Sequence, residues 1–315
     1  MLLYTHPDYL EHKTGQHPEQ PNRLRAISQQ LQEEGLIEKC RQVKWQPVEN
    51  ARIERVHTPE LLQEIEQITA SGGGMIDADT VISPHSLQAA KLASGAVCDA
   101  IDRVLSGETK RAFCLHRPPG HHATFDQAMG FCLINHVAVA ARYALDEKQL
   151  DRILIIDWDV HHGNGTQDLF YRDPQVGFFS IHRYPFYPGT GSKDETGEGP
   201  GLGTTLNKPL PFGISREEFF DAFQSGLEEI TRTTKPQLIL LSAGFDAHRL
   251  DPVGSLGLET EDFGRLTQIV DDVAQSTTKG KIVSLLEGGY HLEMLAESVA
   301  LHLRTLLDRE EKESA

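Results

Sequence analysis

The sequence predicts an α/β protein with a single doubly wound, mostly parallel sheet and helices on both of its faces. Apolar runs without polar alternation recur along the chain, which is typical of strands covered on both sides. Segments with apolar residues at helical spacing separate several of these runs. Because strand, helix and strand in this order form a right-handed parallel crossover, the alternation favours a parallel sheet.

The predicted elements follow one another without a break in composition. The strand-like runs lie at 112–116, 153–157, 176–182, 238–244 and 281–289. The helical patterns cover 86–106, 134–145, 215–232 and 260–277. A prior of about 150 residues per domain would suggest two domains. No Pro/Ser-rich linker, low-complexity tract or internal repeat divides the sequence, however, and we predict one domain over residues 1–315.

Composition narrows the class of protein. The N-terminus lacks the pattern of a signal peptide, and no uncharged apolar stretch reaches the about 18 residues typical of a membrane span. The four cysteines lie far apart, as expected of free thiols in a reducing compartment, so we expect a soluble cytoplasmic protein. The formal net charge of −16 argues against a protein that binds nucleic acid through its phosphates, and we expect neither a nucleic acid nor a membrane partner. The oligomeric state stays open.

The most unusual segment, DWDVHHGNG, directly follows the apolar run at 153–157. If the backbone stays extended here, then Asp157, Asp159 and His161 project to one side. Such groups at the end of a buried strand repel and resist desolvation unless a cation compensates them. A metal site is therefore the first hypothesis. The alternative is an ordinary turn or helix cap, which the two glycines of the segment favour.

Polar clusters also follow other predicted strands. RPPGHH follows the run at 112–116, AGFDAH ends the fourth run and continues past it, and EGGYH closes the last one. Ligands of a doubly wound sheet bind beyond the carboxyl ends of its strands, so these clusters are expected to meet at one edge. No regular Cys-x-x-Cys or His-Glu-x-x-His pattern fixes the identity of the metal.

These residues resemble the zinc-dependent histone deacetylases, and in particular the bacterial, class II-like histone deacetylase-like amidohydrolases. The resemblance extends over nearly the whole chain, and HHGNG, with Asn164, looks more like class II than class I. It implies an arginase-like α/β fold of parallel strands, in agreement with the independent prediction. The motifs that carry it are GQHPEQPNRL at 15–24, RPPGHHA at 117–123, MGFCLIN at 129–135, DWDVHHGNGTQ at 157–167, GFDAHRLDP at 244–252 and LEGGY at 286–290.

The resemblance implies that Asp159, His161 and Asp246 hold one Zn²⁺, with an open position for water and the substrate carbonyl. Two carboxylates and one imidazole form an oxygen-rich set, so ligand chemistry also admits Fe²⁺ or Co²⁺. Without the resemblance, Asp246 would be interpreted as a cap after a strand.

The catalytic residues implied by the resemblance are two histidines, their partners and a tyrosine. Asp157 would orient His121, and Asn164 would orient His122. A neutral amide stabilises imidazolium less than a carboxylate does, so His122 suits a general base, while His121 would carry positive charge. Which of them protonates the leaving amine stays open. Tyr290 would donate a hydrogen bond to the developing oxyanion.

Further positions resemble the family's substrate tunnel and accessory sites. Phe131, after Gly130, and Tyr187 match the aromatic walls around an acyl-lysine stem. Asp79 matches the rim loop that grips the substrate backbone. The remaining matches are Arg23 near an internal acetate pocket, and Ser180 with Asp157 at a structural monovalent cation site that would take K⁺.

The predicted activity is hydrolysis of N-acetylated amines, with acetylated lysine side chains of proteins favoured as substrate. Acetylpolyamines are the alternative. In the polyamine-selective animal branch a gatekeeping Glu follows Asp-Pro, whereas Val253 stands there in this sequence. A non-catalytic acyl-lysine binding module is a rival, but every catalytic position is present. A ureohydrolase would need a second metal and further ligand pairs.

Overall fold

In the computed structural model, which describes residues 1–314, a seven-stranded sheet runs through the centre of the molecule. All its neighbouring strands are parallel, and their order is β1-β4-β9-β8-β5-β6-β7. The strands are β1 (Leu2–Tyr4), β4 (Arg111–Cys114), β5 (Ile153–Asp157), β6 (Val176–Arg183), β7 (Thr205–Leu210), β8 (Leu238–Ala243) and β9 (Ile282–Leu286). A separate antiparallel pair is formed by β2 (Gly74–Met75) and β3 (Val81–Ile82).

Helices cover both faces of the sheet. They are α1 (Asn22–Glu33), α2 (Asn50–Ile53), α3 (Pro59–Ala70), α4 (Ser86–Leu105), α5 (His136–Asp146), α6 (Asn164–Phe170), α7 (Arg216–Thr234), α8 (Thr260–Thr278) and α9 (Leu292–Ser314). Alternate residues of each strand point to opposite faces: Leu154 and Ile156 of β5 join a core with α1, α7, α8 and α9. Ile153 and Ile155 join a second core with α3 and α5 and most of α4. The predicted doubly wound sheet is confirmed.

The order of the strands across the sheet differs from their order along the chain. After β4 it passes over two strand positions to β5, which lies between β8 and β6, and it later returns through β8 to β9. The segments after β4, β5, β8 and β9 therefore open on the same carboxyl edge of the sheet. This arrangement brings together the polar clusters that are far apart in sequence.

Several elements differ from the prediction. The apolar patterns of the sequence do not predict β1 or β7, nor the helices α1, α3 and α9. The strand β7 lies at the sheet edge and carries polar side chains, so it lacks the apolar run of a central strand. The helix predicted at 134–145 begins at His136, because the Asn135 side chain caps it by accepting from the Ala138 amide. No helix within residues 1–314 is long and apolar enough to cross a membrane.

Candidate active site

The carboxyl edge of the sheet brings Asp159, His161 and Asp246 together in a buried group. One potential ligand atom from each lies within 4.8 Å of the other two. The Nδ1 atom of His161 is 3.1 Å from Asp159 Oδ1 and 3.1 Å from Asp246 Oδ2. Among the side chains that the structure describes, no second group of three or more His, Cys, Asp or Glu residues with this spacing is found.

Asp157 does not belong to this group, which corrects the extended-backbone argument. The strand β5 ends at Asp157, and the following residues bend away from strand geometry. Asp157 Oδ1 accepts from the Asp159 amide at 3.1 Å, while Oδ2 faces His121. The carboxylate thus lies beneath the metal site and helps to set the turn that presents Asp159.

Backbone amides fix the two carboxylates of the group. Gly288 N donates to Asp159 Oδ2 at 2.8 Å, and Val160 N donates to Asp246 Oδ1 at 2.9 Å. A Cβ atom on Gly288 would overlap carboxylate oxygens of both aspartates. The first glycine of the LEGGY segment is therefore required by this close approach of backbone to charge.

The electrostatics of the group call for a cation. Burial lowers the pKa of His161, but the bonds to Asp159 and Asp246 outweigh it and raise that pKa to about 10. Burial, followed by the charge of Asp159, raises the pKa of Asp246 to about 7. Two desolvated carboxylates thus compete for one imidazolium proton, which a divalent cation would replace. The donor set fits such an ion.

The histidine pair stands beside this group on the loop after β4. His121 Nδ1 lies 2.9 Å from Asp157 Oδ2, and His122 Nδ1 lies 2.7 Å from Asn164 Oδ1. The two ring centroids are 4.0 Å apart. The predicted pairing of each histidine with a different partner is present in the structure.

The partners give the two imidazoles opposite protonation tendencies. Burial lowers the pKa of His121, but Asp157 and Asp159 outweigh it and raise that pKa to about 10. Burial, with the charges of His121 and His161, holds the pKa of His122 well below its usual value. The surroundings thus favour the imidazolium form of His121 and the neutral form of His122.

A cavity of about 200 Å³ opens above the metal group. Its lining contains every residue that the resemblance assigned to the tunnel or rim, together with two histidines, Tyr290 and Phe186. Phe186 was missed, although it directly precedes Tyr187; its ring stacks on His161 with centroids 5.1 Å apart. The lining residues are Asp79, His122, Gly130, Phe131, His161, Phe186, Tyr187, Val253 and Tyr290.

Tyr290 reaches the cavity on the segment that follows β9. Gly289, just before it, has φ = 120°, a conformation that favours glycine. The tyrosine ring is 9% exposed and packs edge to face on Phe131, with centroids 5.8 Å apart. Tyr290, His122 and His161 therefore all face the same small volume.

Arg23 lies behind Tyr290 and outside the lining of this cavity. Its guanidinium carbon is 5.0 Å from the Tyr290 ring centroid. It donates to the carbonyl oxygens of Glu287 at 2.5 Å and Gly289 at 2.6 Å, and it pairs with Glu19. In this structure the hydrogen bonds of Arg23 restrain the segment that carries Tyr290.

Ser180 is the register partner of Asp157 on the neighbouring strand β6. Both residues are fully buried, and Ser180 Oγ is 2.9 Å from His182 Nδ1. The structure thus brings together the two residues expected at a monovalent cation site.

Two buried carboxylates near the site were not singled out from the sequence. Glu287 accepts from the amides of Gly120 at 2.8 Å and His121 at 3.3 Å, and from Ser242 Oγ at 3.0 Å. Asp251 accepts from loop amides and lies beside Tyr290. Both stand inside the quoted motifs, LEGGY and GFDAHRLDP, but each also binds groups of other elements that are distant in sequence, which no local pattern reveals.

Comparisons with known proteins agree with this geometry. A family model described as the histone deacetylase domain matches residues 17–306. A probable deacetylase of Archaeoglobus fulgidus is 40% identical over 292 residues, which cover 91% of this chain and 80% of that protein. The polyamine deacetylase HDAC10 of Homo sapiens is 38% identical over 302 residues, which cover 92% of this chain and 44% of that protein.

The fold has a close counterpart among solved structures. The crystal structure of the HDA15 HD domain superposes with a TM-score of 0.91 at 35% identity, covering 98% of this chain and 88% of that one. This match confirms the predicted arginase/deacetylase-like fold. On the family model, the sequence relatives and the structural match together, the chain belongs to the histone deacetylase family.

Proposed function

We propose that this protein is a zinc-dependent amidohydrolase that removes acetyl groups from acetylated lysine side chains of proteins or peptides. The observation that carries the proposal is the buried Asp159–His161–Asp246 group beneath a small cavity that has His122 and Tyr290 in its lining. We further propose that the chain forms one domain over residues 1–315 and works in the cytoplasm.

Asp159, His161 and Asp246 would hold the ion. A bound Zn²⁺ would supply a Lewis acid to the acyl carbonyl and to the attacking water. Fe²⁺ and Co²⁺ are compatible with the same oxygen-rich set. By resemblance, a K⁺ ion at Asp157 and Ser180 would be structural.

His122 is the proposed general base. Asn164 presents its carbonyl oxygen to His122 Nδ1, so Nδ1 carries the hydrogen and the lone pair lies on Nε2. Because burial, followed by the positive charge of His121, holds the pKa of His122 low, Nε2 is free to accept a proton from water. Asn164 therefore sets the tautomer that the base needs.

His121 and Tyr290 are the proposed electrostatic partners of the transition state. His121 keeps its proton through Asp157 and places positive charge close to the reacting group. Burial raises the pKa of Tyr290 well above its usual value, so its hydroxyl remains a hydrogen-bond donor. A donor aimed at the developing oxyanion stabilises the transition state more than the ground state.

The cavity favours a slim aliphatic stem. Phe131 and Tyr187 supply aromatic walls, and Gly130 leaves room because a side chain there would overlap the His122 ring. Asp79 supplies a carboxylate in the same lining, suited to bind peptide amides of a substrate. These features support acyl-lysine as the bound group.

Acetate release from an acetyl-lysine peptide, measured on metal-loaded protein, tests the proposed reaction. We expect acetate and the deacetylated peptide, with a free lysine amine, in equal amounts. Tight binding of the peptide without acetate release would instead identify a binding module.

The substrate preference gives a second test. Because Val253 supplies no charge where the polyamine-selective branch has a Glu, we expect a higher kcat/KM for acetyl-lysine peptides than for acetylspermidine or acetylputrescine. The preference should be modest, about tenfold, since the acidic surface still attracts polycations. Val253→Glu should shift the ratio towards acetylspermidine. Equal or reversed efficiencies in the natural sequence would favour the polyamine alternative, which the name of the human relative supports.

A Gly288→Ala variant tests the metal group through its backbone. Its methyl group would push the carboxylates of Asp159 and Asp246 apart, so we expect reduced metal content and a matching loss of kcat. Gly226→Ala is the control, because its methyl group also meets close neighbours, Phe179 and Lys208, but on α7. The control should lower thermal stability while metal content stays normal. Normal metal content in Gly288→Ala would contradict the assignment.

A further inference from the structure

We propose that Asp251 is a positioning residue that holds Tyr290 at the working distance from the substrate and ties it to the tunnel rim. This inference rests on the proposed function. Asp251 is 7% exposed, and both of its carboxylate oxygens are used by backbone amides. It contacts no reacting group and would act through Tyr290.

The two oxygens of Asp251 serve two different loops. Oδ2 accepts from Tyr290 N at 2.6 Å and from His291 N at 3.3 Å, on the segment after β9. Oδ1 accepts from Val253 N at 2.9 Å and from Gly254 N at 2.9 Å, on its own loop after β8. One carboxylate therefore joins the loop of the proposed oxyanion donor to the loop that carries Val253.

The segment that carries Tyr290 needs such a contact. Gly288 and Gly289 precede the tyrosine, and glycines leave the backbone the widest choice of conformations. Arg23 fixes the carbonyl oxygens of Glu287 and Gly289, which restrains the segment up to the second glycine. The hydrogen bond from Tyr290 N to Asp251 restrains the backbone of the tyrosine itself, while its ring packs on Phe131 and on the Arg23 guanidinium.

A small displacement of the Tyr290 hydroxyl would lower the activity of an amidohydrolase. A hydroxyl that must meet an oxyanion at hydrogen-bond distance loses most of its effect when it is displaced by about 1 Å. Loss of the Asp251 contact should therefore lower kcat much more than it raises KM. Loss of a residue with a purely structural role would instead lower the stability of the protein, without a selective fall in kcat relative to KM.

Asp251→Asn is the sharpest single change. Asn commonly closes a turn by accepting from amides two and three residues ahead, so its oxygen should stay with Val253 and Gly254. Its NH₂ group then faces the Tyr290 and His291 amides, donor against donor. We expect kcat for acetyl-lysine peptide to fall about 10- to 100-fold, with KM changed less than about threefold and metal content unchanged.

The double variant with Tyr290→Phe decides whether Asp251 acts through the tyrosine. Once the hydroxyl is gone, Asp251→Asn should cost less than about a further twofold in kcat, because coupled residues are non-additive. An equal loss in both backgrounds would overturn the inference and leave the proposed function intact. If Tyr290→Phe itself retained full kcat, the oxyanion role would fail instead.

Two further variants distinguish a specific loss of activity from misfolding. Asp251→Ser keeps a hydroxyl that closes the same turn but is too short to reach Tyr290 N, and we expect the same kinetic pattern from it. Asp262→Asn is the control, since Asp262 is also buried and accepts a backbone amide, that of Glu259, at the start of α8. The control should keep its kcat. Normal kcat in a folded Asp251→Ser protein would overturn the inference.

Discussion

Asp159→Ala is expected to abolish deacetylation, because it removes one of the two carboxylates that would hold the metal ion. A catalytic metal is worth several kcal/mol of transition-state stabilisation, so the loss in kcat should reach about 10³-fold or more. The fold should survive, since the cores on both faces of the sheet are built from apolar side chains of strands and helices. Far-ultraviolet circular dichroism and metal analysis on one preparation would separate the two effects.

Two comparisons complete this test. A chelator should inactivate the natural protein, and added Zn²⁺ should restore activity to that protein but not to Asp159→Ala. Asp221→Ala, on the exposed side of α7, should keep both metal and activity. A natural protein that is fully active without any divalent ion would contradict the metal assignment.

The position of the metal group could be inferred from the sequence because parallel strands end at one edge. Asp159, His161 and Asp246 follow β5 and β8, which are neighbours in the sheet, so their meeting requires only the correct strand order. Spacing along an extended backbone predicts Asp157 on the same face, which is wrong because β5 ends at Asp157. The resemblance to a family was needed to choose Asp246 as the third member.

The supporting contacts could not be inferred in the same way. Glu287 and Asp251 act on backbone amides of other loops, and the positions of those amides depend on how the loops pack. Arg23 shows the same limit: the family motif marked it as near the site, yet its donors serve two carbonyl oxygens behind Tyr290. Patterns along a strand identify groups that share an edge, whereas contacts between loops require the folded structure.

Tyr290→Phe should lower kcat by about 10²–10³, or roughly 2.7–4 kcal/mol, which is the usual effect of losing one oxyanion donor. The change deletes only the hydroxyl. The ring keeps its packing on Phe131 and beneath the Arg23 guanidinium, so the cavity and the metal group should remain intact. Because the proposed hydrogen bond forms mainly in the transition state, KM should change little.

The Tyr290→Phe measurement should pair kcat with metal content on the same preparation. Tyr171→Phe, which removes a hydroxyl at the end of α6 outside the cavity lining, is the matched control and should behave as the natural protein. Metal content and binding of a substrate-like inhibitor should persist in both variants. A Tyr290→Phe protein with near-normal kcat would make Tyr290 a packing residue, and His121, whose proton is held beside the metal group by Asp157, would then be the donor left to stabilise the oxyanion.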